Sequence, residues 1–281
     1  MAIATRTARA LTVPRGVPTL GLVSPVLTFI DRPSDSPFVD RIWRSRSERG
    51  GVFVSIAQGH FEIAVTRHRG RVFATLRGPE TAATPAECPA GGEWLGIRFK
   101  LGTFMPRTAP GTLKDRRDVT LPGASARAFW LNGSAWEYPE FENADIFVTR
   151  LAREGLIARD FSVGAVLECR SVRFPVRSAQ RHFVRSTGIT HRTLRRIARA
   201  RYATMLLRQG VPILDAVHEA GYFDQPHLTR SLKTLIGATP AEISRGAKQL
   251  SFLYNTPLRP ALYDAHGRSV HDCIGARRRL D

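Results

Sequence analysis

Residues 221–244 read GYFDQPHLTRSLKTLIGATPAEIS, and this stretch decides the fold. Leu228, Leu232 and Leu235 recur at i, i+4 and i+7, the apolar stripe of a helix lying on a core. Pro226 suits the first turn of that helix, where a missing N–H costs nothing. Upstream, Pro212-Ile213-Leu214-Asp215 opens a shorter helix that stops at Ala220-Gly221. The loop Tyr222-Phe223-Asp224-Gln225 joins the two. Helix, glycine-containing turn, helix is the pattern of a helix-turn-helix unit.

A second stretch has the same grain. VRSAQRHFVRSTGIT (176–190) parallels HLTRSLKTLIGATP (227–240). Each sets a small or apolar residue two before an arginine (Ala179 and Arg181; Leu228 and Arg230) and an apolar residue two after it (Phe183, Leu232). Each ends in a glycine seven after the arginine, Gly188 and Gly237, followed by a small turn with threonine. Such a repeat predicts two copies of one docking unit.

Charge points the same way. The chain has 281 residues, 42 Lys and Arg against 24 Asp and Glu, and a net charge of +18. A pI near 11 predicts attraction to polyanions, nucleic acid first and anionic membrane second. Only four of the basic residues are lysine, a bias that a GC-rich genome also produces. The local pattern says more than the total. From Arg170 to Arg208 there are 11 arginines and no acid. A solvated helical face normally mixes signs, because opposite charges at i,i+4 support the helix. A phosphate backbone would relieve the repulsion of an unmixed run.

GYFDQPHLTRSLKTLIGATPAEIS strongly resembles the C-terminal signature of AraC-type transcriptional regulators, and Arg199, Ala203, Leu206, Leu207 and Gly210 fit that family's long linker helix. The resemblance covers about 145–245. It implies a DNA-binding domain over 143–245 with seven helices and two helix-turn-helix units, whose recognition helices (about 175–187 and 225–236) enter successive major grooves. Arg177, Gln180 and Arg181 then take base-facing positions in the first unit, and Gln225, Pro226, His227 and Arg230 in the second. Arg185, Arg192, Arg195 and Arg196 are expected on phosphates, which position without specifying. Arginine presents a fork matching guanine O6 and N7, and glutamine can pair with adenine N6 and N7. The chain departs from the pattern at Ala216-Val217, at Pro175 where a serine cap is usual, at Ala179 where a leucine is usual, and at Gly164 in the helix expected over 161–169.

The front half is read as strands, making the whole an α+β protein. VFVSIA (52–57), the turn QGH and FEIAVT (61–66) read as a hairpin; RVFATLR (71–77) and WLGIRFKL (94–101) alternate likewise. A β-rich sensing or dimerising domain is expected over 51–140, as an antiparallel barrel or sandwich. Residues 1–50, rich in Pro, Arg and Ser, are expected to be poorly ordered or extended, and 246–281 to form a basic tail without an assigned task. From Asn143 the grain turns helical, with Asn143 as cap and Asp145 in the first turn. Trp94, Phe99, Phe104, Trp130 and Trp136 are candidates to line a small-molecule pocket or to form core.

No catalytic pattern is present: no GxSxG, HExxH, GxxxxGK[ST] or GxGxxG after a strand. His60 and His68 read as surface histidines and Asp115 and Asp118 as a solvated turn. Three scattered cysteines argue against a disulfide framework or a zinc site and for a reducing cytoplasm. The chain is thus expected not to be an enzyme and to carry neither metal nor cofactor. Its expected partners are promoter DNA, a small-molecule effector, RNA polymerase and a second copy of itself, with no membrane. The alternatives are a non-specific architectural DNA-binding protein, and an enzyme with a DNA-targeting domain.

Overall fold

The computed structural model describes residues 26–108, 110–116, 118–163 and 176–251. A six-stranded antiparallel sheet in the order β1-β2-β7-β4-β5-β9 forms the front half. Its strands are β1 (Thr28–Pro33), β2 (Val39–Ser47), β4 (Glu62–His68), β5 (Arg71–Arg77), β7 (Gly92–Phe99) and β9 (Val119–Thr120). Alternate residues of the central strands, Ile63 and Val65 on β4 with Leu95 and Ile97 on β7, point into one core. Opposite them the Trp43 indole lies over Gly96, where an added Cβ would fall 1.9 Å from the ring. The Trp43 Nε1–H donates to the buried Glu62 carboxylate. A three-stranded sheet of β10 (Gly123–Ser125), β11 (Ala128–Leu131) and β12 (Ser134–Glu137) covers the core with Phe129, Leu131 and Trp136.

The sheet begins before the expected β region. β1 and β2 pair in full register from Thr28↔Arg46 to Pro33↔Arg41, so the described part of the Arg-rich opening is largely strand, while residues 1–25 lie outside the described residues. Composition hid this because the arginines alternate with buried Ile42, Trp43, Ser45 and Ser47.

The expected hairpin between 52–57 and 61–66 does not form. β3 (Gly51–Ser55) pairs instead with β6 (Thr84–Cys88), while β4 pairs with β5 and β7. The true hairpin, β4–β5, turns at Arg69-Gly70, both with positive φ (50° and 75°), the geometry a two-residue turn needs to match strand twist. Gly59 in QGH serves close packing instead: a Cβ there would sit 2.4 Å from Leu194 Cδ1.

Six helices are described: α1 (Ala144–Arg153), α2 (Val176–Thr187), α3 (His191–Arg208), α4 (Ile213–Glu219), α5 (Gln225–Leu235) and α6 (Pro240–Ser244). Residues 161–163 begin a further turn, and the rest of the helix expected over 161–169, with Pro175, lies outside the described residues. α1 follows Asn143 as expected, but the Asn143 side chain accepts from the Glu140 N–H (2.8 Å) and not from the helix. Asp145 accepts from Arg32 Nη1 (2.7 Å). Ala144, Phe147, Val148 and Leu151 of α1 are buried in the front core, and β13 (Ala158–Arg159) pairs with β8 (Thr103–Phe104). The change of periodicity at 143 therefore marks a change of element, while α1 packs with the sheet.

The helices from α2 onward share a second core with Ile56, Ala57 and Val163, and Val54 and Leu101 pack against it. The start of the expected tail joins in. Gln249 Oε1 accepts from Val26 N (2.6 Å), its Nε2 donates to Leu27 O (2.9 Å), and Val54 and Leu250 form a parallel bridge.

Candidate nucleic-acid interface

α4, the turn and α5 form the second helix-turn-helix unit. Gly221 closes α4 at φ +67°, a conformation that favours glycine. Its N–H donates to His218 O (3.0 Å), and the Tyr222 N–H donates to Val217 O (2.8 Å). Tyr222 then turns inward and is buried. Its hydroxyl lies 3.0 Å from Ser231 Oγ, the His227 ring meets it edge-on at 5.1 Å, and the Arg199 guanidinium sits 4.4 Å over its face. Burial raises the Tyr222 pKa. Asp224 caps α5, its Oδ1 accepting from the His227 N–H at 2.6 Å. Pro226 stands in the first turn, and beyond the Asp224 cap that turn has no acidic residue.

The expected stripe is present. Leu228, Leu232 and Leu235 are buried, while Gln225, Pro226 and Arg230 are exposed. His227 is half-buried against Tyr222, where it supports the turn. Lys233, not singled out from the sequence, is exposed and follows Arg230 by three residues, on the same face. Its signal was the i, i+4, i+7 series Pro226, Arg230, Lys233 opposite the leucines.

In the first unit Phe183 is buried, its ring edge-on to His191 at 5.5 Å. Gln180, Arg181 and Arg185 are exposed on α2. The Arg177 backbone lies in α2; its side chain is outside the described residues. Gly188 (φ +75°) ends α2 as Gly237 (φ +75°) ends α5. Thr190 then caps α3, accepting from Thr193 N, and Thr239 caps α6 in a full capping box with Glu242. The sequence repeat is thus a structural one, carried by the helix, its left-handed glycine and the following threonine cap.

The arginine run does not form one face. Arg192 and Arg196 on α3 are exposed, while Arg195 is half-buried. Arg199 is spent on Tyr222 and on the Gly221 carbonyl (3.2 Å). Arg201 is buried; burial and the nearby Arg98 charge lower its pKa to about 9, opposed by Asp40. An acid from outside the run reaches α2. Asp160 accepts from Ser186 Oγ of α2 (2.7 Å) and from Ser162. Burial pushes its pKa up, but those hydrogen bonds and His182 together hold it below the ordinary value.

Both recognition helices are held at their C-terminal ends by the front half. The Ala83 and Ala57 N–H groups donate to Thr234 O and Leu235 O, each at 2.8 Å. Gly188 packs on the Pro110–Gly111 backbone and Gly237 on Val54 and Ala83. Of the aromatic residues considered for an effector pocket, Phe99 and Trp136 are packed in the front core and Trp130 is on the surface. Phe99 stacks on Phe61 at 5.7 Å, Trp136 meets Phe147 edge-on at 5.9 Å, and Trp130 is exposed. His60 is not a free surface histidine, since its Nδ1 lies 2.9 Å from Phe99 O and burial lowers its pKa. Asp115 and Asp118 are likewise engaged, the first by Thr81 and the second by a two-pronged Arg77 contact at 2.7 and 2.9 Å.

Residues 169–246 match the family model of a helix-turn-helix domain. The segment is a helix-turn-helix domain, in keeping with its resemblance to AraC-type regulators. Among solved structures the chain is similar to ToxT from Vibrio cholerae, at 10% identity over 77% of this chain and 98% of that one, with a TM-score of 0.35. No curated protein matches it. The helix-turn-helix domain supports a DNA-binding transcription regulator. Among the described residues no helix is long and apolar enough to cross a membrane.

Proposed function

We propose that this chain is a cytoplasmic, sequence-specific transcription regulator that places α2 and α5 in successive major grooves of a promoter. The observation that carries the reading is the edge of α5: Gln225, Pro226 and Arg230 exposed, acid-free, and fixed over three buried leucines by a capped turn. Gln180, Arg181 and Arg177 are the base readers of the first unit, and Arg185, Arg192, Arg195 and Arg196 the phosphate contacts. Arg192 and Arg196 suit that task best because they are exposed on α3.

The front half is the sensing or self-associating part, and RNA polymerase is the further partner at the promoter. Support for coupling lies in the seam: the backbone bonds to Thr234 and Leu235 and the Asp160–Ser186 bond reach both recognition helices from the β-rich side. A small molecule or a second copy that shifts the 54–59 or 79–83 segments therefore acts on helix placement directly.

A competition gel shift tests the function. The full chain is expected to prefer duplex from its own upstream region over random duplex by about 10³-fold or more at fixed salt. A ratio near one would leave charge alone as the binding force and favour a DNA-coating protein.

A further inference from the structure

Phe223 stands 90% exposed in the turn of the second unit. A single exposed apolar side chain is ordinary on a protein surface; the setting makes this one informative. Its neighbours on both sides are fixed. Tyr222 is buried under Arg199 and beside Ser231, and Asp224 is spent on capping α5. Phe223 therefore projects from a braced turn immediately before α5, and the next exposed groups along the chain are Gln225 and Pro226.

A recognition helix leads into the major groove with its N-terminal residues. There the thymine 5-methyl group is the one apolar feature a base pair presents, and apolar side chains, phenylalanine included, read it. An aromatic ring on a braced turn gives up little conformational freedom on contact. We propose that Phe223 is a specificity residue that reads a thymine methyl group at one edge of the site bound by α5. The proposal rests on the DNA-reading function above and adds a base preference that hydrogen-bonding residues do not supply.

The test uses the full chain and duplexes it selects from a random pool. Each thymine of a selected duplex is replaced in turn by deoxyuridine, which removes only the methyl group. The expected result is one position, at the α5 edge, where deoxyuridine weakens wild-type binding about four- to tenfold. Phe223→Ser is expected to bind the thymine duplex more weakly by the same factor and to be indifferent to deoxyuridine at that position. Phe223→Leu retains part of the discrimination. Both variants change an exposed side chain, so the thermal midpoint stays within 1–2 °C of wild type, roughly the effect of ordinary surface substitutions.

Identical deoxyuridine losses in wild type and Phe223→Ser, or no loss at any thymine, would overturn the proposal. Unchanged DNA affinity of Phe223→Ser with lost transcription by purified polymerase would also overturn it, assigning the ring to a protein partner. If the wild-type chain selects no sequence at all, the DNA-reading function itself fails and this proposal with it, an outcome distinct from the other three.

Discussion

Arg230→Ala is expected to weaken binding to the selected promoter site about 10- to 100-fold and to leave affinity for random duplex nearly unchanged. The size follows from one bidentate arginine–guanine pair, worth about 1–3 kcal/mol of discrimination. The direction follows from placement. Arg230 is exposed on α5, opposite Leu228 and Leu232, so its removal leaves the helix seated. Arg196→Ala is the contrast. Arg196 is exposed on α3, the helix that joins the two units, and is assigned to a phosphate. Its loss is expected to weaken specific and random duplex alike and to reduce the slope of log K against log salt by about one. Titrations at three salt concentrations check both variants. Equal loss on both duplexes from Arg230→Ala would remove its base-reading role.

The second large effect concerns the seam between halves. Gly188→Ala is expected to destabilise the chain by about 3 kcal/mol, combining the left-handed backbone penalty with a collision. A Cβ at Gly188 would sit 2.8 Å from Pro110 C, 2.9 Å from Pro110 O and 3.0 Å from Gly111 N, all backbone atoms with little freedom to yield. Two other glycines calibrate the claim. Gly210 has φ +84° with nothing within 4 Å, so Gly210→Ala carries the conformational cost alone, about 1 kcal/mol. Gly237, at φ +75°, meets Val54 Cγ1 at 2.8 Å, a side-chain methyl that can shift by a few tenths of an ångström, and Ala83 Cβ at 3.2 Å. The expected order of thermal midpoints is therefore wild type, Gly210→Ala, Gly237→Ala, Gly188→Ala. The last is expected to lie about 6–12 °C below wild type. Calorimetry measures the order; a Gly188→Ala midpoint no lower than that of Gly210→Ala would mean that α2 does not press on the front half as described.

The helical half was legible in sequence because its signals are local. Leu228, Leu232 and Leu235 lie within two turns of one helix, and Gly188, Gly221 and Gly237 mark left-handed termini that other residues seldom adopt. The sorting of the arginines was not legible. Arg196, Arg199 and Arg201 lie within six residues, and one is exposed, one covers Tyr222 and one is buried. Only the three-dimensional neighbours decide which is which.

The front half failed where pairing is non-local. β3 reads as one arm of a hairpin, yet its partner β6 lies beyond β4 and β5 in the chain, and local alternation carries no information about that choice. Likewise α1 has the amphipathic period of the helical half but buries Phe147, Val148 and Leu151 in the front core. Periodicity reveals that a face is apolar and is silent about what covers it.

Guanine N7 methylation protection on the selected promoter duplex, with the full chain bound, tests most directly that both units read DNA as a pair. N7 lies in the major groove, so a protected guanine marks a seated recognition helix. Two clusters of protection about 10 bp apart on one face of the duplex are the expected result. A single cluster, or diffuse protection that vanishes as salt rises, would contradict reading by α2 and α5 together.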